Sequence, residues 1–494
     1  MKKPMTKRAL AAFTMAAMAM SAVGCGAKEA PAEAPAATEP EEEVVEEVAE
    51  VEEDADEEEE EEEVSPYTVL TDENGDVYDL GGMDIIIRNW WTAEEQPEPA
   101  NEYEEARDEY RQFIQDTYNF TIRELGISDW GSTPQDFVDY VTTGGDDKNY
   151  VFVLRNDPAI VSGMANGLMY DLATLKSIDF SKEQYAQNKT HEMYSKGDSV
   201  YAMYSGLSEP RTGVYFNKRL LTEAGIDPES IYDMQADGSW TWDKFEELMA
   251  QCQRDTDNDG VDDVYGLTLN ESVMTNMAVF ANGGSYIAKD ADGKFAYNLE
   301  APETQEALEW CVDMYNKFDN HDPEGAEWDY YKEEFVQGKA AFMVEDEYAG
   351  TPGNFLIDME DEIGFVMFPK GPKMSTYVNV WSNNPASIPA CYDADRAEKI
   401  AFAYDLFYAD IPGYEGYNGM LSTARSGKFD TRSVDETIAM MSENEHGVVA
   451  FHDIIPNLQS GPELTWSIAP NADVAALTEA ISGTWQAYVE EANK

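Results

Sequence analysis

The residues best suited to chemistry lie in one acidic loop, where carboxylates alternate with other side chains over residues 255–263. This spacing is typical of a calcium-binding loop of the EF-hand type, which takes ligands from positions 1, 3, 5, 7 and 9 and has Gly at position 6. Gly260 stands at position 6, but Gly266 replaces the Glu of position 12, so a remote carboxylate or a water molecule must complete the shell. The predicted Ca²⁺ ligands are Asp255, Asp257, Asp259, the backbone carbonyl of Val261, and Asp263. The alternative is an acidic turn whose side chains cap backbone N–H groups.

Glu345 and Glu347 are the carboxylates most easily mistaken for a catalytic pair. On a strand or short loop, side chains two residues apart point the same way and lie too close for an inverting glycosidase. The sequence has no Ser-His-Asp arrangement and no phosphate-binding loop, and its 4 His residues lack the paired spacing of a zinc site. We therefore expect a binding protein and not an enzyme. Cys252, Cys311 and Cys391 match no metal motif, and we expect them to be buried thiols, with at most one disulfide among them.

Two stretches of the chain predict the elements that position these groups. The first alternates apolar runs with amphipathic segments, which predicts a parallel sheet with right-handed crossovers. Its predicted strands are 83–91, 119–125 and 149–154, and its predicted helices are 101–117, 134–141 and 158–164. Trp90 and Trp91 end the first run, at the edge where open α/β sheets bind ligands. The second stretch predicts a strand at 213–217, a helix at 218–224, and another helix that begins at Thr241.

The second stretch also resembles a known family. Residues 213–226 read GVYFNKRLLTEAGI and residues 241–245 read TWDKF. This combination is similar to the central segment of extracellular solute-binding proteins of sugar-type ABC importers, the maltose-binding-protein-like family. The resemblance continues through FVQGKAAFM at 335–343 and GFVMFPKGP at 364–372. It implies a periplasmic-binding-protein-like α/β fold, in which a hinge joins two α/β lobes and a ligand cleft lies between them.

The resemblance also implies a domain organisation. Lobe one would hold residues 65–208 together with 372–430, and lobe two would hold residues 209–371. Residues 431–494 would form C-terminal helices that pack on the lobes. Because each lobe is assembled from separated segments, neither could fold from one continuous half of the chain.

The residues expected to face the cleft are aromatic or carry polar groups. A sugar has apolar C–H faces and hydroxyl edges, so its site needs flat rings together with groups that donate and accept hydrogen bonds. Position at loops or strand ends, together with the resemblance, selects Trp90, Trp91, Glu209, Arg211, Trp242, Asn270, Glu271, Glu345, Tyr348 and Trp381. The alternative for each Trp is packing in a core. For Glu209 and Arg211 the alternative is a salt bridge within the hinge.

The N-terminus is typical of an exported lipoprotein. Basic residues precede an apolar run at 9–22 that is too short to span a membrane. Small residues before Cys25 resemble a lipobox, so we expect a signal peptide at 1–24 and a lipid on Cys25 that tethers the protein to the membrane. A plain secretory signal is the alternative. Residues 29–64 contain 20 acidic residues and no basic one, so residues 25–64 should form a lipidated, disordered acidic linker.

The formal net charge of −66 argues against nucleic acid and anionic lipid as partners, and it disfavours an anionic solute. We therefore expect a monomer on the extracellular face of the cell membrane. It would capture a sugar or oligosaccharide and present it to the permease subunits of an ABC transporter. One alternative is a binding protein for a cationic solute, such as an amino sugar or a polyamine, which the acidic cleft residues suggest. The other is a calcium-dependent cell-surface adhesin.

Overall fold

The computed structural model describes residues 66–95, 98–155, 158–290, 293–320 and 325–494. The predicted signal peptide, Cys25 and the acidic linker lie outside the described residues. A search of the described helices finds none that is both long and apolar enough to cross a bilayer. Cys252, Cys311 and Cys391 are free thiols, of which the first two are buried.

The first of two four-stranded sheets has the strand order Ala386–Ser387, Asn149–Val153, Met83–Asn89, Phe120–Gly126. Met83–Asn89 lies parallel to both of its neighbours, whereas Ala386–Ser387 pairs antiparallel with Asn149–Val153. Residues 85–87, three consecutive isoleucines, are all buried, as in a strand that is covered on both faces. The predicted parallel sheet is confirmed. Its antiparallel edge strand comes from a segment far along the chain.

Four helices accompany the first sheet: Glu102–Tyr118, Thr133–Thr142, Pro158–Ala165 and Ala394–Phe407. The first begins at the cap residue Asn101, whose side-chain oxygen accepts the Glu104 N–H at 3.0 Å. It buries Tyr110, Ile114 and Tyr118, which lie one turn apart on one face. The helix bounds predicted for this region therefore agree with the structure to within one or two residues.

The second sheet has the strand order Ile363–Met367, Thr212–Asn217, Ala340–Asp346, Tyr265–Leu269. Thr212–Asn217 is antiparallel to both of its neighbours, whereas Ala340–Asp346 and Tyr265–Leu269 are parallel. All residues of Thr212–Asn217 are buried. A Cβ on Gly213 would lie 2.5 Å from the Phe365 ring, so this position has room only for Gly. The mixed pairing of this sheet was not predicted.

Six helices pack around the second sheet: Lys218–Glu223, Glu229–Asp237, Trp242–Cys252, Glu271–Ala281, Pro302–Phe318 and Tyr330–Val336. Trp242–Cys252 follows the predicted helical spacing. It buries Trp242, Phe245, Met249 and Cys252 along one face, which places its first residue in the core.

The chain passes between the two cores along residues 204–213, 379–385 and 415–420. The second of these segments contains the strand Asn379–Trp381, which pairs in parallel with Gly447–Val449. Residues up to 430 were predicted to belong to lobe one. Ala424 and Phe429 instead pack in the core around the second sheet. The third connecting segment ends before these residues, and no local pattern marks it.

The remaining elements are mostly short. The other helices are Glu183–Ala186, Thr190–Met193, Gly419–Arg425, Ala439–Met441, Ser460–Glu463 and the long Val474–Ala492, with a π-helical segment at Ser433–Ile438. The 3₁₀ turns are Leu172–Thr174, Glu347–Gly350, Phe451–Ile454 and Thr465–Ser467. Two hairpins pair Ser195–Lys196 with Ser199–Val200, and Ile287–Lys289 with Phe295–Tyr297.

Candidate ligand-binding site

A cavity of about 760 Å³ lies beside the first and third connecting segments. Its volume falls within the range of about 300–1,000 Å³ that is usual for small-molecule sites. Elements of both cores contribute to its wall, and it is therefore a cleft between the two halves of the fold. The lining side chains with rings or charges are Trp91, Tyr103, Tyr204, Glu209, Arg211, Glu347, Tyr348, Tyr408, Asp410, Tyr414 and Tyr417.

Aromatic rings line the wall of the cavity on both sides. From the first half, Trp91 is 54% exposed and meets Trp90 edge to face, with ring centroids 4.7 Å apart. Tyr103 and Tyr417 stack with centroids 3.7 Å apart and an angle of 15° between their planes. From the second half, Tyr348 is 39% exposed. Exposed flat rings of this kind suit the apolar face of a solute that also carries polar groups.

Glu209 and Arg211 form the polar floor of the cavity. Their side chains make an ion pair, and the Tyr204 hydroxyl donates to Glu209 Oε1 at 3.1 Å. The guanidinium also donates to the carbonyl of Ser382, on the second connecting segment. The Arg211 N–H donates to Asn379 Oδ1 at 3.1 Å, which joins the first segment to the second. Glu209 and Arg211 therefore line the cavity and also form the salt bridge that was given as the alternative.

Glu347 is a third charged residue of the cavity floor and was not among the predicted ligand contacts. Its side chain lines the cavity, yet the residue is only 8% exposed. Burial raises the pKa of Glu347 to about 7, against the opposing effect of the Arg211 charge. Its N–H donates to the Arg211 carbonyl at 3.0 Å, and its own carbonyl accepts the Tyr215 hydroxyl at 2.8 Å. The backbone of Glu347 is therefore fixed on both sides.

Three predicted cleft residues are buried instead. Trp242 is 4% exposed and stacks on Trp310, with ring centroids 4.1 Å apart, because it lies on the apolar face of its helix. Trp381 is 3% exposed and packs against Gly447, where a Cβ would come within 2.1 Å of its ring. Glu345 is 3% exposed and accepts the Tyr331 hydroxyl at 2.6 Å. None of these three side chains lines the cavity.

The other predicted contacts are divided between the cavity and its surroundings. Trp91, Glu209, Arg211 and Tyr348 line the cavity, whereas Trp90 is half-buried behind Trp91 and packs against the first core. Asn270 caps the helix Glu271–Ala281, and its side-chain oxygen accepts the Ser272 N–H at 3.0 Å. Glu271 is the first residue of that helix. Neither Asn270 nor Glu271 lines the cavity.

Four tyrosines of the cavity wall come from distant segments and were not predicted: Tyr103, Tyr408, Tyr414 and Tyr417. Tyr103 lies at the start of the first helix, and Tyr408, Tyr414 and Tyr417 lie in the stretch that leads into the third connecting segment. Their sequence neighbourhood is that of ordinary amphipathic or loop residues. If the sequence had shown that the chain passes between the two cores near residue 415, it would have indicated these tyrosines, because residues beside a hinge face the cleft.

The acidic loop brings part of the predicted calcium-ligand set together. Carboxylate oxygens of Asp255, Asp257 and Asp263 lie within 4.8 Å of one another. Asp255 also accepts the Asn258 N–H at 2.7 Å and the Gly260 N–H at 2.8 Å, and these hydrogen bonds hold its pKa below the usual value. Asp259 and Val261 are not part of this group of three. The loop thus presents three carboxylate ligands, which suit a hard cation.

The family comparison agrees with this geometry. Residues 170–390 match the model of the bacterial extracellular solute-binding protein family. The match covers the central part of the chain, less than half of its length, and it agrees with the resemblance to extracellular solute-binding proteins seen in the sequence. Proteins of this class bind a solute without converting it, in agreement with the expectation of a non-enzymatic protein. Among curated proteins, none matches the chain.

Solved structures show the same fold at low sequence identity. The cyclic α-maltosyl-1,6-maltose binding protein of Arthrobacter globiformis aligns with a TM-score of 0.58 at 15% identity, over 83% of this chain and 100% of that one. UspC of Mycobacterium tuberculosis gives 0.57 at 16% identity, over 82% and 100%. UgpB of Mycobacterium tuberculosis, in complex with glycerophosphocholine, gives 0.55 at 16% identity, over 83% and 99%. The expected periplasmic-binding-protein-like fold of two α/β lobes is confirmed.

Proposed function

We propose that this chain is a lipid-anchored binding protein that captures a sugar or oligosaccharide and presents it to the permease subunits of an ABC transporter. The observation that supports it best is the cavity wall, where exposed aromatic rings stand above a floor of polar side chains. Among solved proteins of this fold, the Arthrobacter protein binds cyclic α-maltosyl-1,6-maltose, and a cyclo/maltodextrin-binding protein is complexed with maltotetraose.

The chemistry of the cavity favours a polyhydroxylated solute. Trp91 and Tyr348 each offer an exposed ring face against which the C–H face of a pyranose can pack. Glu209 accepts hydrogen bonds, Arg211 donates them, and Asn384 and Gln187 on the same wall do both. Hydroxyl groups need both kinds of partner. Lobe closure then requires only that the solute bind the closed form better than the open form.

A ligand panel tests the proposed function. Thermal shift and calorimetry would be measured on the full mature chain with neutral mono-, di- and oligosaccharides. We expect at least one to raise the melting temperature, and Trp91→Ala to weaken its binding by on the order of tenfold through the lost ring contact. Trp466→Ala is the matched control, because Trp466 is 64% exposed but does not line the cavity.

Small-angle scattering provides a result that could refute the proposed function. A solute-binding protein should become more compact when the ligand that stabilises it is added. If no soluble solute raises the melting temperature and none changes the scattering, the transport proposal is wrong. The calcium-dependent adhesin then becomes the better reading.

The anchor and the metal are parts of the same proposal. The basic and apolar N-terminal residues before Cys25 support a lipid on that thiol and a position on the extracellular face of the cell membrane. The acidic loop would hold Ca²⁺ through Asp255, Asp257 and Asp263, joined by Asp259 and the Val261 carbonyl if the loop tightens around the ion. No step of solute binding depends on this ion, and its role would be to stabilise the loop.

A further inference from the structure

The cavity has an unbalanced set of charges. Among the described residues that line it, Glu209, Glu347 and Asp410 are acidic, and Arg211 is the basic one. The Arg211 charge is already compensated, because its guanidinium pairs with Glu209 and donates to the Ser382 carbonyl. Glu347 and the exposed Asp410 therefore leave the cavity with an excess of negative charge.

Glu347 is the member of this set whose position indicates a missing partner. The residue is more than nine-tenths buried, and its side chain faces the cavity. In the part of the chain that the structure describes, no side chain or backbone N–H donates a hydrogen bond to its carboxylate. A carboxylate on a largely buried residue is rarely left without donors, and this one can receive them from a solute in the cavity.

We propose that the solute carries a primary amine, as an amino sugar does, and that its ammonium group binds against the Glu347 carboxylate. This inference rests on the proposed function. A hydroxyl would supply one hydrogen bond but would leave the buried charge uncompensated. An ammonium supplies up to three donors and a full opposite charge. The neighbouring Tyr348 ring is partly exposed on the same wall and offers a cation–π contact. The acidity of the whole chain draws a cation toward the cavity.

The groups that face Glu347 determine how this binding depends on pH. They are Arg211, which favours the ionised form, Glu209 and Asp346, which oppose it, and the buried Tyr215, which is neutral. Burial raises the pKa of Glu347 to about 7. Affinity for an amine should therefore be greatest between pH 7, above which Glu347 is ionised, and the pKa of the amine itself, above which the ammonium loses its charge. It should fall, by at most about tenfold per pH unit, as the pH drops below 7.

The test compares matched sugars by calorimetry on the mature chain. The probes are neutral disaccharides and the same disaccharides with one primary hydroxyl replaced by an amine, with spermidine as a cation that is not a sugar. At pH 7.5 we expect the amine to bind at least tenfold more tightly than its neutral counterpart. Glu347→Gln should remove this preference, so that within the variant the amine binds no more tightly than its neutral counterpart. Glu345→Gln is the matched control, since Glu345 is equally buried but does not line the cavity.

The outcomes separate this inference from the proposed function. If neutral sugars bind as tightly as their amines, or if Glu347→Gln weakens both equally, the amine inference is overturned while sugar binding stands. If spermidine binds through Glu347 and no sugar does, the amine inference stands and the sugar proposal fails. If no probe binds, both fail. Melting temperatures of both variants show whether they are folded.

Discussion

The buried carboxyl of Glu345 should make the stability of the folded protein depend on pH. It belongs to the central strand Ala340–Asp346 and is 3% exposed. Its carboxylate accepts the Tyr331 hydroxyl at 2.6 Å and the Asp346 N–H at 2.8 Å. Burial, together with the adjacent Asp346 charge, raises the pKa of Glu345 to about 7 from a usual value of 4.5, although the two hydrogen bonds oppose this rise. An ionised Glu345 therefore destabilises the fold.

The size and sign of the effect follow from linkage. Each pKa unit corresponds to about 1.36 kcal/mol, so this shift is worth on the order of 3 kcal/mol. Below pH 4.5 the group is protonated in both the folded and the unfolded chain, and its burial carries no charge. Between about pH 4.5 and 7 the unfolded chain ionises this carboxyl while the folded chain keeps it protonated, so stability falls across this range and levels off above pH 7. Glu345→Gln keeps an acceptor for Tyr331 but cannot ionise.

We expect Glu345→Gln to be more stable than the wild type by only about 1 kcal/mol at pH 5, and by up to about 3 kcal/mol at pH 8. Urea unfolding at pH 5, 6, 7 and 8 measures this difference. Glu347 is present in both proteins, so its own titration cancels in the comparison. Exposed Glu490 provides the control, because Glu490→Gln should leave the profile unchanged. Parallel profiles for wild type and Glu345→Gln would refute the reasoning.

The other expectations concern the second core and the acidic loop. Trp242→Ala should cost about 3–5 kcal/mol in unfolding free energy, because it leaves Trp310 beside a void, yet it should leave solute affinity within about twofold. A large loss of solute affinity with unchanged stability would show that Trp242 contacts the solute in the cleft. Calcium should raise the melting temperature and EDTA should lower it, whereas Asp257→Asn should weaken the calcium response at least tenfold. An unchanged melting temperature after EDTA, with no metal found by mass spectrometry, would remove the calcium proposal.

The elements of the fold were largely predictable from local pattern. The isoleucine run before Trp90 can be satisfied only by a strand covered on both faces, and Met83–Asn89 is such a strand. The order and direction of strands in the second sheet were not predictable in this way. Ala340–Asp346 has the same apolar composition whichever neighbour it pairs with, and its pairing depends on segments more than 70 residues away.

The candidate site divides along the same line. Glu209 and Arg211 were found because they stand at a connection whose sequence resembles a known hinge, and they line the cavity. The prediction for Trp242 was wrong because the sequence is compatible with two positions for a Trp at the start of a helix. Its ring can face a cleft from the preceding loop, or it can be the first residue of the buried helix face. Glu347 was considered among the charged groups of the cleft but was not selected as a ligand contact, since its exposure depends on how the strand end turns into the Glu347–Gly350 helical turn.

By itself, the sequence determined the secondary structure of both halves, the acidic charge and the calcium-loop spacing, because these follow from spacing and composition along the chain. It indicated the class of protein only through its resemblance to a known family. Only the tertiary structure decided which aromatic rings face the cavity and which carboxylates are buried. The exposure of a side chain depends on residues from distant segments that pack against it. Trp310 stacks on Trp242, Gly447 leaves room for the Trp381 ring, and Tyr417 stacks on Tyr103.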